Sequence, residues 1–306
     1  MTDALGALGD AVRACRTAGA VRPAARKTGA LGCPAQQNHY ARRDVTAPAP
    51  SADDEPRILV TIPISHFCEK ARWALDRAGL DYIEKRHIQI VHRVAVKRAG
   101  GGSTAPVLRT ARGVYDESSA IVRYADEHVP AAQRLYPAEE PQLAEVVALE
   151  QSFDTVLGPQ GRLWLYHEVF KDARRFARWN LTGVPAWERR VFPFVLAPAE
   201  RMIRHHFDIT DETARAAAVD VDEEFDAVAE RLSDGRRYLV GDRFSAADLA
   251  FAALAAPAVV PPGYGTPLPQ PEDLPDDMAA AVLRWRAHPA GQFALRLFRE
   301  ERPAAT

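Results

Sequence analysis

The spacing of apolar positions changes twice along the chain. From Arg57 to Ile62 a short β-branched run (Ile58, Leu59, Val60, Ile62) closes at Pro63 and predicts a buried strand. Between Ser65 and Ala78 the period lengthens. Phe67, Ala71, Ala74, Leu75 and Ala78 share one helical face, and Glu69, Lys70, Arg72, Asp76 and Arg77 are expected on the polar side. Gly79 is placed to stop that helix. Tyr82 to Ile88 alternates as a second strand. Basic side chains crowd residues 81–98, and a glycine-rich loop follows at Gly100 to Ser103. Ala105 to Leu108 and Val114 to Asp116 predict a hairpin turning at Thr110 to Gly113. A helix begins at Ser118, with Ile121, Tyr124 and Ala125 inward. Pro130, Pro137 and Pro141 mark residues 131–141 as a linker. Beyond Gln142 every pattern is helical: residues 142–158, 160–179, 187–206, 211–233, 245–256 and 276–288, and a short helix near the end.

These patterns give a small α/β domain at 56–130, then an all-helical domain at 142–306. The apolar run Leu249 to Val260 is too short to span a bilayer and contains Pro257, so it reads as a buried helix. Hydrophobic residues at 47% and charged residues at 26% suit a globular chain, and a net charge of −2 gives no reason to expect nucleic-acid binding. Three cysteines, Cys15, Cys33 and Cys68, are too few for a disulfide framework and suit a reducing compartment such as the cytoplasm. Residues 1–55 are rich in Ala, Arg, Gly and Pro without periodicity, and are expected to be a disordered tail. A targeting segment would be poor in acids and rich in Ser, whereas Asp3 and Asp10 come early and Ser is nearly absent.

Three motifs follow one another in the first domain. Pro63 to Leu75 resembles the first strand-to-helix junction of glutathione S-transferases. Ala105-Pro106-Val107-Leu108 resembles their cis-proline strand, and Asp116 to Ile121 their Glu-Ser motif. Phe244 to Leu249 resembles the capping motif of the family's second domain. The resemblance covers residues 57 to about 300 and is sharper in the first half. It implies a thioredoxin-like domain followed by a helical bundle, glutathione as co-substrate, no metal, a homodimer, and no membrane or nucleic-acid partner.

The resemblance also implies roles. Ser65 would donate a hydrogen bond to the glutathione sulfur; as a serine it is equally a preferred N-cap. Ala105, before Pro106, would pair its backbone with the thiol peptide. Glu117 and Ser118 would hold its γ-glutamyl end, an ammonium and a carboxylate. His66 stands where the family often has proline, and reads either as an exposed histidine at the helix start or as a pocket group. Cys68, one turn beyond Ser65, is either a buried structural thiol or the single cysteine of a thiol-disulfide reductase. Trp164, Tyr166, His167 and Phe170 fit both core packing and the electrophile pocket. Arg174, Arg175 and Arg178 read as a solvated face, and Ser245 with Asp248 as a capping box. No HExxH, P-loop or GxSxG pattern is present. Three functions remain open: a glutathione transferase, a non-catalytic binding module of the same fold, and a reductase acting through Cys68.

Overall fold

The structure, a computed structural model, describes residues 56–303; the expected tail at 1–55 lies outside them. Strand β1 (Arg57–Thr61) occupies the middle of a four-stranded sheet. It pairs in parallel with β2 (Tyr82–Arg86), Leu59 opposite Glu84. On its other edge it pairs antiparallel with β3 (Val107–Thr110), Leu59 opposite Leu108, and β3 pairs with β4 (Gly113–Tyr115). The crossover from β1 to β2 is helix α1 (His66–Arg77), and Gly79 takes the left-handed conformation (φ 63°) that favours glycine just past its end.

Helix α2 (His92–Ala99) connects β2 to β3 in the basic region, where the sequence suggested no element. Its buried apolar anchors are Val96 and Ala99, packed on Val60 and Val107, with Ala95 half-buried beside them. Its N-cap residue, Val91, supplies no side-chain cap, so the usual start signal is missing. Helix α3 (Ser118–Asp126) then packs beside α1.

The helical domain is organised around α9 (Ala246–Val259), every residue of which is buried. Small side chains dominate it, so neighbouring backbones approach closely, and Phe251 lies against Phe153, Phe225 and Phe293. Its N-terminus is fixed by Asp248, which accepts from the Ser245 amide (2.8 Å), the Ser245 hydroxyl (2.7 Å) and the Leu239 amide (2.8 Å). The expected capping box is therefore present. Helix α4 (Glu140–Ser152) runs through a π turn at Phe153–Leu157 into α5 (Gly158–Val169). Instead of continuing to 179, the chain restarts as α6 (Ala173–Asn180), with Asp172 accepting from the Arg175 amide. Then come α7 (Ala186–His206) and α8 (Asp211–Leu232), whose Ala214, Ala217, Val221, Phe225 and Val228 form one buried stripe. Helices α10 (Asp276–Ala287) and α11 (Pro289–Glu300) complete the order.

Helix α1 departs most from the pattern reading. Glu69, Lys70 and Arg72, expected outward, are buried. The reason is that α1 lies between the sheet with α3 on one side and α9 on the other. Each charge has a partner. Lys70 reaches Asp154 (2.7 Å), Glu150 (3.0 Å) and the Ser119 hydroxyl (2.7 Å). Arg72 donates to Glu84 (2.7 Å), Glu69 (3.3 Å) and the carbonyls of Ile62 and Pro63. Arg302, past the last helix, donates to Glu69 (2.8 Å) and Asp76 (2.7 Å). Burial alone would raise the pKa of Glu84, but Arg72 and the Thr61 hydroxyl together hold it below the usual carboxylate value.

Removing one member of a buried charge network leaves the others unpaired. Glu69→Ala deprives Arg72 and Arg302 of a shared carboxylate, and a loss of about 3–5 kcal/mol is expected in urea unfolding. Arg174→Ala, on the exposed face of α6, should stay within about 0.5 kcal/mol of the parent. Equal, small effects of the two substitutions would contradict the network's role.

Candidate active site

The turn Ile62 to Ser65 carries the chain from β1 into α1, and the Ser65 amide donates to the Ile62 carbonyl (3.2 Å). Ser65 is extended (φ −73°, ψ 123°) and caps α1; its oxygen accepts from the Cys68 amide at 3.4 Å. Because the oxygen is the acceptor in that bond, the hydroxyl hydrogen is left for another partner. Ser65 borders a cleft of about 930 Å³, open to solvent. One wall comes from the sheet domain (Ser65, Ile90, Ala105), the other from the helical domain (Arg162, Tyr166, Phe207).

Ala105–Pro106 is a cis peptide, and Ala105 lines the cleft. In the β3–β4 pair Leu108 faces Tyr115. Strand β4 ends at Tyr115, and Glu117 and Ser118, at the start of α3, are not among the residues that line the cleft. Glu117 is the exposed N-cap residue of α3, and Ser118 begins the helix and is buried.

His66 is not an exposed helix-start residue. It is 4% exposed, and its Nε2 donates to the Gly158 carbonyl at 3.0 Å. At Gly158 an added Cβ would lie 2.6 Å from the Phe67 ring, so only glycine lets α5 approach the start of α1 this closely. Burial, reinforced by the charge of Arg162, lowers the His66 pKa to about 3. The ring is therefore neutral at ordinary pH. It also borders a second, apolar cavity of about 520 Å³, whose walls include Ile64, Leu165, Trp179 and Tyr264.

Cys68 points the other way. Its side chain is fully buried, its sulfur accepts from the Ile62 amide at 3.4 Å, and burial pushes its pKa up. A thiol so placed is neither accessible nor ionised near neutrality, which removes the basis for a reductase working through it. Trp164 is likewise turned away from both cavities. It packs edge-on against Trp285 in the core, ring centroids 4.6 Å apart. Tyr166, two residues on, faces the cleft. No group of His, Cys, Asp or Glu arranged to hold a metal occurs among the described residues.

Residues 59–133 match the family described as Glutathione S-transferase, N-terminal domain, and residues 191–263 match Glutathione S-transferase, C-terminal domain. The chain carries both domains of the glutathione S-transferase family. Among solved structures, this family member resembles glutathione transferase GSTFuA2 from Phanerochaete chrysosporium at 18% identity and a TM-score of 0.56, over 82% of this chain and 100% of the other. Transferase GSTFuA3 from the same organism gives 21% identity and a TM-score of 0.53, over 82% and 99%. At these identities the likeness establishes the fold. No curated protein matches the chain in sequence.

Among the residues of this transferase-fold cleft that had no role in the sequence reading are Arg162, Arg93 and Ile90. Arg162 lies between the apolar positions Gly161 and Leu163, and a lone arginine in a helix carries no motif. Arg93 belongs to the helix that patterning did not suggest. Ile90 has a positive φ of 74°, unusual for a β-branched residue, and nothing in its neighbours signals it.

The neutral state of His66 has a pH consequence. In the unfolded chain its pKa is near 6.5, in the folded chain about 3, so below pH 6.5 the unfolded state binds a proton that the folded state refuses. Stability from this group is fully present above pH 6.5 and is lost as pH falls toward 3. Between pH 7 and pH 5 the expected loss is about 2 kcal/mol, and His66→Gln should lack it. Urea midpoints of both proteins at the two pH values check this; parallel pH dependence in the two would contradict a buried neutral imidazole.

Proposed function

We propose that the chain conjugates glutathione, or a related low-molecular-weight thiol, to an electrophilic carbon of a small molecule. The observation that carries this reading is the position of Ser65. Its hydroxyl stands at the N-cap of α1, in a cleft that also exposes Ala105 and faces the helical domain. A free thiol has a pKa of about 8.5 and is mostly protonated near neutrality. A hydroxyl hydrogen bond favours the thiolate by about 1.5–3 kcal/mol, and a helix N-terminus adds about 0.3–1 kcal/mol. Ser65 supplies the first and α1 the second, so the bound thiol loses its proton to solvent more readily. The thiolate then attacks the electrophile; a sulfur–carbon bond forms, and the displaced group leaves with the bonding pair, or an activated double bond takes the charge.

Ala105 would offer its backbone to the thiol peptide. Glu117 would accept from the γ-glutamyl ammonium, and Ser118 with the start of α3 would receive its carboxylate. Tyr166, and His66 as a neutral wall, would shape the electrophile side. His66 is not assigned proton transfer, because its pKa of about 3 leaves it no proton to give at neutral pH. By the family's habit we take the working unit to be a homodimer in the cytoplasm.

Calorimetric titration of glutathione tests the thiol site, and Ser118→Ala should weaken binding about tenfold or more. In conjugation assays across a panel of electrophiles, Ser65→Ala should lower kcat/KM about 10- to 100-fold while binding of glutathione changes little. No binding at millimolar glutathione would overturn the proposal. Binding without turnover of any electrophile would favour a non-catalytic module instead.

A further inference from the structure

Arg162 is the one arginine in the middle of α5, and its side chain borders the cleft. Its guanidinium lies 4.4 Å from the ring centroid of Phe207 and 5.9 Å from that of Phe67. Among the described residues it makes no hydrogen bond and no ion pair, and its Nε is buried without a partner. Arginine keeps its charge at any physiological pH and offers five N–H donors, and a buried Nε without a partner is unfavourable. The buried arginines among the described residues behave differently: Arg72 and Arg302 each contact two carboxylates.

The surroundings of Arg162 point the same way. No Asp or Glu borders the cleft among the described residues, whereas Arg93 adds a second permanent cation from the sheet domain. His66 and His92 are both held neutral at pH 7, chiefly by burial, with pKa values of about 3 and about 4. The cleft lining therefore presents fixed positive charge with aromatic surfaces beside it, Glu117 lying outside that lining.

We propose that Arg162 is a specificity-determining residue that receives the anionic group, a carboxylate, sulfonate or phosphate, of an otherwise apolar acceptor substrate. The planar fork of the guanidinium matches such an anion, and Phe67 and Phe207 flank the apolar body. This names the class of electrophile, and it rests on the transferase reading for calling the ligand a substrate; the preference for an anion does not depend on that reading.

Two fluorescent probes separate charge from apolar fit. Anilinonaphthalene sulfonate and N-phenylnaphthylamine share a ring skeleton, and only the first is an anion. The full chain should bind the sulfonate at least about tenfold more tightly than the neutral amine. Arg162→Met should abolish that preference while keeping amine binding within about twofold, and Arg162→Lys should retain part of it. Should Arg162→Met fail to fold by circular dichroism, Arg162→Gln takes its place with the same expected readings. The proposal is overturned by equal affinity for the two probes, or by a preference that survives loss of the arginine. It is equally overturned if the variant loses glutathione affinity tenfold, since Arg162 would then serve the thiol peptide. If glutathione never binds but the sulfonate preference and its loss in the variant hold, the anion pocket stands and the transferase reading falls.

Discussion

Charge buried on helix α1 is the constraint from which the rest of the site follows. Lys70 and Arg72 have almost no contact with water, and a buried cation persists only if acids and carbonyls surround it. Its acids come from far apart: Glu84 from β2, Glu150 from α4, Asp154 from the π turn, and Glu69 from α1 itself, shared with Arg302 beyond the last helix. Satisfying α1 therefore requires the sheet, the helical rod and the end of the chain to be in place together. The π turn has a visible part in this, since Asp154 lies within it and meets Lys70. The Gly265 amide also donates to Glu69 (3.1 Å), while its carbonyl accepts from Arg86 (3.2 Å), which ties the loop after α9 to the same network.

The cleft is a consequence of that arrangement. At the N-terminus of α1 Ser65 is half-buried and borders the cleft. The His66–Gly158 bond and the close approach of Phe67 to Gly158 then set how near α5 comes. That approach decides which residues of α5 oppose Ser65: Arg162 and Tyr166 rather than Trp164. A second seam holds the loop after β2 against the helical domain, where Glu188 takes the His87 ring at 2.5 Å and the Ile88 amide at 2.8 Å, above a small cluster of Ile88, Val91, Val184 and Phe192.

What sequence could and could not reveal divides along physical lines. Local signals read well: the strand at Arg57–Thr61, the stop at Gly79, the capping box at Ser245 and Asp248, and the motifs that named the family. They read well because each is written within a few neighbouring residues. Glu69, Lys70 and Arg72 were misplaced because periodicity registers polarity and cannot see partners 12 to 233 positions away. Helix α2 escaped because two buried anchors, a half-buried alanine and no cap leave almost no pattern. The break at Phe170 to Asp172 was in principle readable, since Asp172 is a preferred N-cap, but continuous helical composition on both sides hid it. The burial of His66 and the inward turn of Trp164 escaped for a shared reason: whether a ring faces solvent, a cleft or a core depends on the helix packed against it. Arg162 carried no signal beyond being charged.

The central claim is that Ser65, at the cleft-lining N-terminus of a helix whose charges are buried, stabilises a bound thiolate. The ultraviolet absorbance of the thiolate, followed against pH for glutathione on the protein and in free solution, tests it most directly. The account expects the bound thiol to ionise about one to two pH units below its free value of about 8.5, and Ser65→Ala to return it most of the way. Ionisation of bound glutathione at its free value, with Ser65 present, would contradict it.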